Sequence, residues 1–235
     1  MNPYDTSKPA WISASTADVE FRTRAFIRSV YAWMAGGLVL TAFAALWVVS
    51  SPMMQALVLG NRLVMFGLII AEVGIVMVMS FKQRTISAGT ASAAFLVYSF
   101  LNGLTLSVIF FVYAQASITL AFGVSAGMFG AMALYGLVTK RDLTSWGSFF
   151  MMGLFGVFIL MIAGFFIQTT ALQMTIATLG IFVFLGLTAY DNQKLKRFAT
   201  APNSDSVAVF GALMLYLDFI NLFLFVLRLL GDRRR

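Results

Sequence analysis

Polar and apolar positions along this chain alternate only on a long scale. After a polar stretch of about thirty residues come seven apolar runs, at residues 30–50, 62–80, 86–112, 117–138, 146–167, 171–193 and 207–230. Each is about long enough to cross the hydrocarbon core as a helix, which takes roughly 17–25 residues. The runs are apolar all round and lack the in–out alternation of a membrane β-barrel. The pattern therefore predicts an all-α membrane protein, a seven-transmembrane-helix bundle in one domain (30–235), preceded by a polar cytoplasmic segment (1–29). No linker or low-complexity block divides it.

Charge orients the bundle. Lys82 and Arg84, Lys140 and Arg141, and Lys194, Lys196 and Arg197 occupy alternate connectors, while Tyr113-Ala114-Gln115 and Gln168-Thr169-Thr170 carry no charge. With Arg22, Arg24 and Arg28 before the first run, this asymmetry predicts a cytoplasmic N-terminus. Seven crossings then put the tail Gly231-Asp232-Arg233-Arg234-Arg235 outside, against its own charge. A re-entrant stretch would return it to the cytoplasm; seven full spans is the reading adopted.

Composition narrows the chemistry. The 235 residues are 60% hydrophobic and 11% charged, with a net charge of +7 and no cysteine or histidine. The basic residues flank apolar runs, so the charge reflects membrane topology and no nucleic-acid partner is expected. Without Cys or His there are no disulfides, no thiolate or imidazole metal sites and no Ser-His or Cys-His nucleophile pairs. The start of the chain lacks a signal-peptide pattern, so the first apolar run is expected to stay in the protein.

Six of the nine acidic residues fall in termini or connectors, leaving Glu72, Asp191 and Asp218 in or beside apolar runs. A charge at bilayer depth costs roughly 2.5–3.5 kcal/mol on insertion scales, so such groups persist where they are paired, hydrated or used. Each could simply fix helix packing. Asp191 and Asp218, however, lie on consecutive runs joined by one connector and are expected to meet. Like charges in a poor dielectric do not both ionise easily, so the pair would titrate as a unit. A shared proton would tie the last two helices, and its loss would leave a site for a hard cation such as Ca²⁺. Lys82 or Arg84 could instead latch onto Asp191. Ser92, Ser99, Asn102 and Thr105 share one helical face and, with Asn221, could line a hydrated path or merely bond helices together. Gly123, Gly127 and Ala131 recur every four residues and read as a close-packing stripe.

The segments Leu187-Thr188-Ala189-Tyr190-Asp191-Asn192-Gln193-Lys194 and Leu213-Met214-Leu215-Tyr216-Leu217-Asp218-Phe219-Ile220-Asn221-Leu222-Phe223 resemble the Bax inhibitor-1 (transmembrane Bax inhibitor motif) family, closest to its bacterial members. The resemblance implies a C-terminal helix at the centre of the bundle, wrapped by the other six. It also implies a pH-sensitive Ca²⁺ leak in the bacterial inner membrane, with Asp191 and Asp218 as sensor and gate. Glu72 and Arg84 resemble the family's acidic pore residue and its basic partner. The Arg233-Arg234-Arg235 tail has no counterpart in that pattern.

The expected function is thus a proton-regulated leak channel. Asp191 and Asp218 form the gate, and Glu72, Asn102 and Asn221 the cation path. Arg84 or Lys82 is the latch, and Asp191, Asp218 and Glu72 contact the metal ion. Lipid, protons and permeant Ca²⁺ are the expected partners, with no tightly bound cofactor. An alternative is a non-transporting regulator that works through a membrane protease or stress-response partner. Tyr190-Asp191 also resembles half of the intramembrane aspartyl protease signature, but Asp218 follows Leu215-Tyr216-Leu217 where that chemistry needs Gly-x-Gly, so no enzyme activity is expected.

Overall fold

The computed structural model describes residues 16–83, 85–199 and 204–232. These residues form nine helices and no strand: α1 (Thr16–Ser50), α2 (Pro52–Val58), α3 (Arg62–Lys82), α4 (Ala88–Leu106), α5 (Ile109–Val112), α6 (Gln115–Val138), α7 (Thr144–Phe166), α8 (Thr170–Phe198) and α9 (Ser204–Leu230). Seven spans are long and apolar enough to cross a membrane, with α4 and α5 together making the third.

Local chemistry sets the breaks. Ser51, Asn61, Ser87 and Thr169 each cap the helix that follows by accepting a backbone N–H in the first turn. Pro52 enters α2 at its first position, where its missing N–H costs nothing. The third span is interrupted where the Ser107 hydroxyl turns back to the Leu104 carbonyl at 2.6 Å and Phe110 N–H bonds Ser107, a tightened turn between α4 and α5.

The first span begins well before its apolar run. Residues 16–29 of the polar segment are the opening turns of α1; residues 1–15 lie outside the described residues. Phe26 and Val30 are buried on one side of this extension, Arg24 and Arg28 are exposed on the other, and Arg22 is exposed one turn before Phe26. Hydropathy reports contact with lipid, so it cannot see where a helix continues beyond the membrane.

The last span is the most buried of the seven. α9 packs against α1, α4, α6 and α8, while α3 packs mainly on α4 and α7 on α8. Of the apolar window of α9, 72% is buried, against 6–39% in the other six spans. α8 and α9 run antiparallel, with Leu195 opposite Gly211, Lys194 opposite Met214 and Gly180 beneath the Phe225 ring. In this register α9 starts about 6 Å beyond the end of α8, at ~1.5 Å per residue.

Two glycines permit backbone-to-backbone approach. A Cβ on Gly103 would strike the Thr41 carbonyl between α4 and α1, and one on Gly136 the Ala189 carbonyl between α6 and α8. The expected stripe is not one of these contacts. A Cβ on Gly123 or Gly127 would meet nothing within 4 Å, and with Ala131 these residues face outward. Spacing alone identifies a face of small residues without saying what covers it.

The two ends of the bundle differ. Connector 139–143 and the end of α8 meet at the basic end, where Arg197 bonds Asp142 at 3.0 Å. The chain finishes at the other end: Ala114 N–H donates to the Asp232 carbonyl at 3.1 Å, and Asp232 N–H to the Ser117 hydroxyl at 3.0 Å. Asp232 therefore lies at the end of the bundle opposite connector 139–143, as seven full spans require; Arg233–Arg235 lie outside the described residues.

Gly136→Leu and Gly103→Leu should each destabilise the folded protein by about 1–3 kcal/mol through overpacking. Gly123→Leu and Gly127→Leu should leave the detergent-solubilised melting temperature unchanged or slightly raised. Equal losses at all four positions would contradict this packing.

Candidate functional site

Two buried polar clusters occupy different faces of α9. Successive helical residues are about 100° apart, so Tyr216 and Asp218 point nearly opposite ways.

On one face, Asp218 meets Asp191 of α8. Asp191 lies seven residues before the end of α8, and Asp218 fourteen after the start of α9. The ~6 Å stagger between the helices removes most of that difference, and the reach of the side chains spans the remaining turn. Their side chains are 8% and 4% exposed, and their carboxyls stand within hydrogen-bonding reach of each other. Two carboxyls can bond directly only when one carries a proton. Asp218 Oδ2 is buried and has no hydrogen-bond partner. Beside the pair, Asn192 accepts a hydrogen bond from the Tyr31 hydroxyl of α1 at 2.6 Å and donates to the Thr188 carbonyl at 2.8 Å.

The cation next to the pair along α8 is Lys194. It stands one turn beyond Asp191, half-buried, with its ammonium 5.8 Å from the Tyr190 ring centre, 5.5 Å from that of Phe198 and 4.0 Å from Met214 Sδ. Sequence reasoning placed Lys194 with the interface cations, though its spacing of three from Asp191 was a usable signal. Lys82 is exposed at the end of α3, and no ion pair joins it to either aspartate among the described residues. Arg84 lies outside the described residues.

On the other face, hydrogen bonds run across four helices. Glu72 of α3 accepts from Asn102 Nδ2 and Thr105 Oγ1 of α4, both at 2.9 Å. Asn102 Oδ1 accepts from the Tyr216 hydroxyl of α9 at 2.9 Å. That hydroxyl lies 2.6 Å from Thr41 Oγ1 of α1, which also reaches the Gly37 and Ser99 carbonyls at 2.9 and 2.8 Å. Tyr216 is completely buried, with Phe95 and Tyr98 edge-on to its ring. Asn102 and Thr105 of α4 thus meet Glu72 of α3, whereas Ser99 Oγ bonds within its own helix. Asn221 bonds the Leu217 carbonyl of its own helix at 2.8 Å and does not join this chain. Tyr216 and Thr41 were missed; a tyrosine inside an otherwise apolar run is the signal that marked the first.

Glu72 is therefore not a third ligand beside the aspartates. Among the described residues no three acidic, His or Cys side chains cluster closely enough to share a metal ion. The aspartate pair and Glu72 thus stand apart from each other.

Connector 139–143 is clamped to α8. Gln193 accepts from Leu143 N–H at 2.8 Å and donates to the Arg141 carbonyl at 2.7 Å. Asp142 accepts from the hydroxyl and N–H of Thr144 and from Arg197, and these bonds hold its carboxyl below the usual aspartate range.

The sequence profile described as "Inhibitor of apoptosis-promoting Bax1" matches residues 23–235. "Inner membrane protein YbhL" of Escherichia coli (strain K12) is 46% identical over 215 residues, covering 89% of this chain and 92% of its own. A protein of Borreliella burgdorferi is 40% identical over 214 residues, covering 89% and 92%. One of Caulobacter vibrioides is 35% identical over the whole of both chains. With seven apolar spans and both aspartate segments inside the matched region, the chain is an integral membrane protein that belongs to the Bax inhibitor-1 family.

Proposed function

We propose that this protein is a pH-sensitive calcium leak channel of the bacterial inner membrane, gated by a proton shared between Asp191 and Asp218. The observation that carries the reading is that two buried carboxyls stand close together on facing helices. The membrane assignment draws on the apolar spans and on the Escherichia coli relative's description as an inner membrane protein.

The physics of the pair supplies the gate. With one proton, a carboxyl O–H donates across the interface and ties α8 to α9. Without it, two anions face each other in a weakly screening interior, where unit charges ~4 Å apart repel by roughly 4 kcal/mol at an effective dielectric near 20. Lys194 offsets one of the two charges. The remainder is relieved by helix displacement or by an oxygen-seeking divalent cation. Because α9 also carries Tyr216, its displacement strains the bonds through Asn102 to Glu72. Glu72 thereby serves as the cation-attracting group of the path, and its contacts report the state of the gate.

Three outcomes follow for full-length protein in liposomes loaded with a Ca²⁺ indicator. Asp218→Asn should flatten the pH dependence of Ca²⁺ flux between pH 5 and 8; wild-type flux with wild-type pH dependence in this variant would contradict the gate. Glu72→Gln should lower Ca²⁺ flux several-fold at fixed pH without moving the midpoint of the pH response. Asp142→Asn should leave that response intact. The Asp142 carboxyl is held below its ordinary range, so its bonds contribute above that range and are lost only as pH falls through the lowered value, outside the pH 5–8 window. If an Asp191→Asn, Asp218→Asn double variant conducts no Ca²⁺ yet supports the protein's role in cells, the protein is a non-transporting regulator.

A further inference from the structure

At the basic end of the bundle, α6, α7 and α8 enclose a half-open groove of about 310 Å³ on the side of α8 away from α9. Its size is at the low end of the roughly 300–1,000 Å³ typical of ligand pockets. The walls are almost wholly apolar, with Met132, Trp146, Phe150 and Phe182 among them, and Arg141 stands in the lining. Gly186 and Ala189 of α8 make the floor. A side chain at Gly186 would collide with the Phe150 ring, so the hollow depends on small residues there.

The groove is not a plain apolar hollow, because a cation is held at it. The two bonds from Gln193 fix connector 139–143 through the Arg141 carbonyl and Leu143 N–H, and so fix the backbone from which the exposed Arg141 side chain projects. The acid in this connector, Asp142, is engaged by Arg197 and Thr144. Among the described residues the Arg141 guanidinium makes no ion pair, and Lys140 beside it is exposed and makes none either. Trp146 and Phe182, 57% and 64% exposed, flank the opening. A tryptophan at the end of a span sits at headgroup level, so the guanidinium is placed where a lipid phosphate would be. Basic pockets between transmembrane helices are suited to anionic headgroups.

We propose that this groove binds one anionic phospholipid, with an acyl chain along the aromatic wall and its headgroup phosphate on Arg141. Neutral lipid fits the wall equally well but offers less to the guanidinium, so selectivity resides in Arg141 and capacity in the groove. The site lies apart from the aspartate pair, so the proposal stands independently of the channel reading.

The test is native mass spectrometry of the full chain, released from mixed micelles with dioleoyl phosphatidylglycerol or dioleoyl phosphatidylcholine. The wild-type protein should retain one phosphatidylglycerol in preference to phosphatidylcholine. Arg141→Ala should lower that retention roughly fivefold, the effect of one interfacial cation, without changing retention of phosphatidylcholine. Met132→Trp, which fills the groove, should lower retention of both. Arg141→Gln replaces Arg141→Ala should the latter fail to give monodisperse protein. Equal retention of the two lipids by the wild type, or phosphatidylglycerol retention indifferent to both substitutions, would overturn the proposal.

Discussion

A carboxyl group inside a bilayer must give up its charge or find partners, and here two of them find each other. That requirement shapes much of the bundle. For Asp191 and Asp218 to meet, α8 and α9 must run side by side in one antiparallel register over most of their length. The small residues Gly180 and Gly211 allow this, by admitting the Phe225 ring and Leu195 between the helices. The remaining neighbours of α9 then close around its other faces, leaving it with the largest buried fraction of any span. Glu72 meets the same requirement differently, by taking donors from Asn102 and Thr105. One helix thus connects two solutions to one electrostatic problem: a carboxyl–carboxyl contact on one face and a hydrogen-bond chain on the other.

This arrangement has a mechanical consequence. Polar contacts in a weakly screening interior are directional and costly to break. Movement of α9 relative to α8 is therefore felt at Thr41 on α1 and Asn102 on α4, through Tyr216. Lys194, held between the rings of Tyr190 and Phe198, keeps a positive charge near the aspartates without forming a tight ion pair among the described residues. Under the proposed gate, a full salt bridge would fix one ionised state, whereas a cation at a distance would leave the pair free to exchange a proton.

Much of this was legible in the sequence because hydrophobic length is a direct physical requirement of crossing a membrane. The seven runs and the meeting of Asp191 with Asp218 could be read without coordinates. Other features depend on what covers a residue. Gly123 and Gly127 have the spacing of a packing seam, yet the seam residues are Gly103 and Gly136, which nothing in their spacing distinguishes. Asn221 shares the polar character of Asn102 but turns to its own backbone. The helical opening of α1 is masked by charge, because Arg22, Arg24 and Arg28 are exposed on a helix that buries Phe26. Tyr216 illustrates the intermediate case: its presence in an apolar run is visible, whereas its partners on α1 and α4 follow only from how α9 is surrounded.

The central claim is that Asp191 and Asp218 share a proton whose loss changes the α8–α9 interface. The most direct measurement is the distance between the two carboxyls in structures of the wild-type protein determined at acidic and alkaline pH in a lipid environment. A shared proton predicts direct hydrogen-bonding distance at the acidic pH. Its loss at the alkaline pH predicts separated carboxyls, or a cation between them, with α9 shifted against α8. Carboxyls at the same short separation in both structures, with an unchanged interface, would contradict the claim.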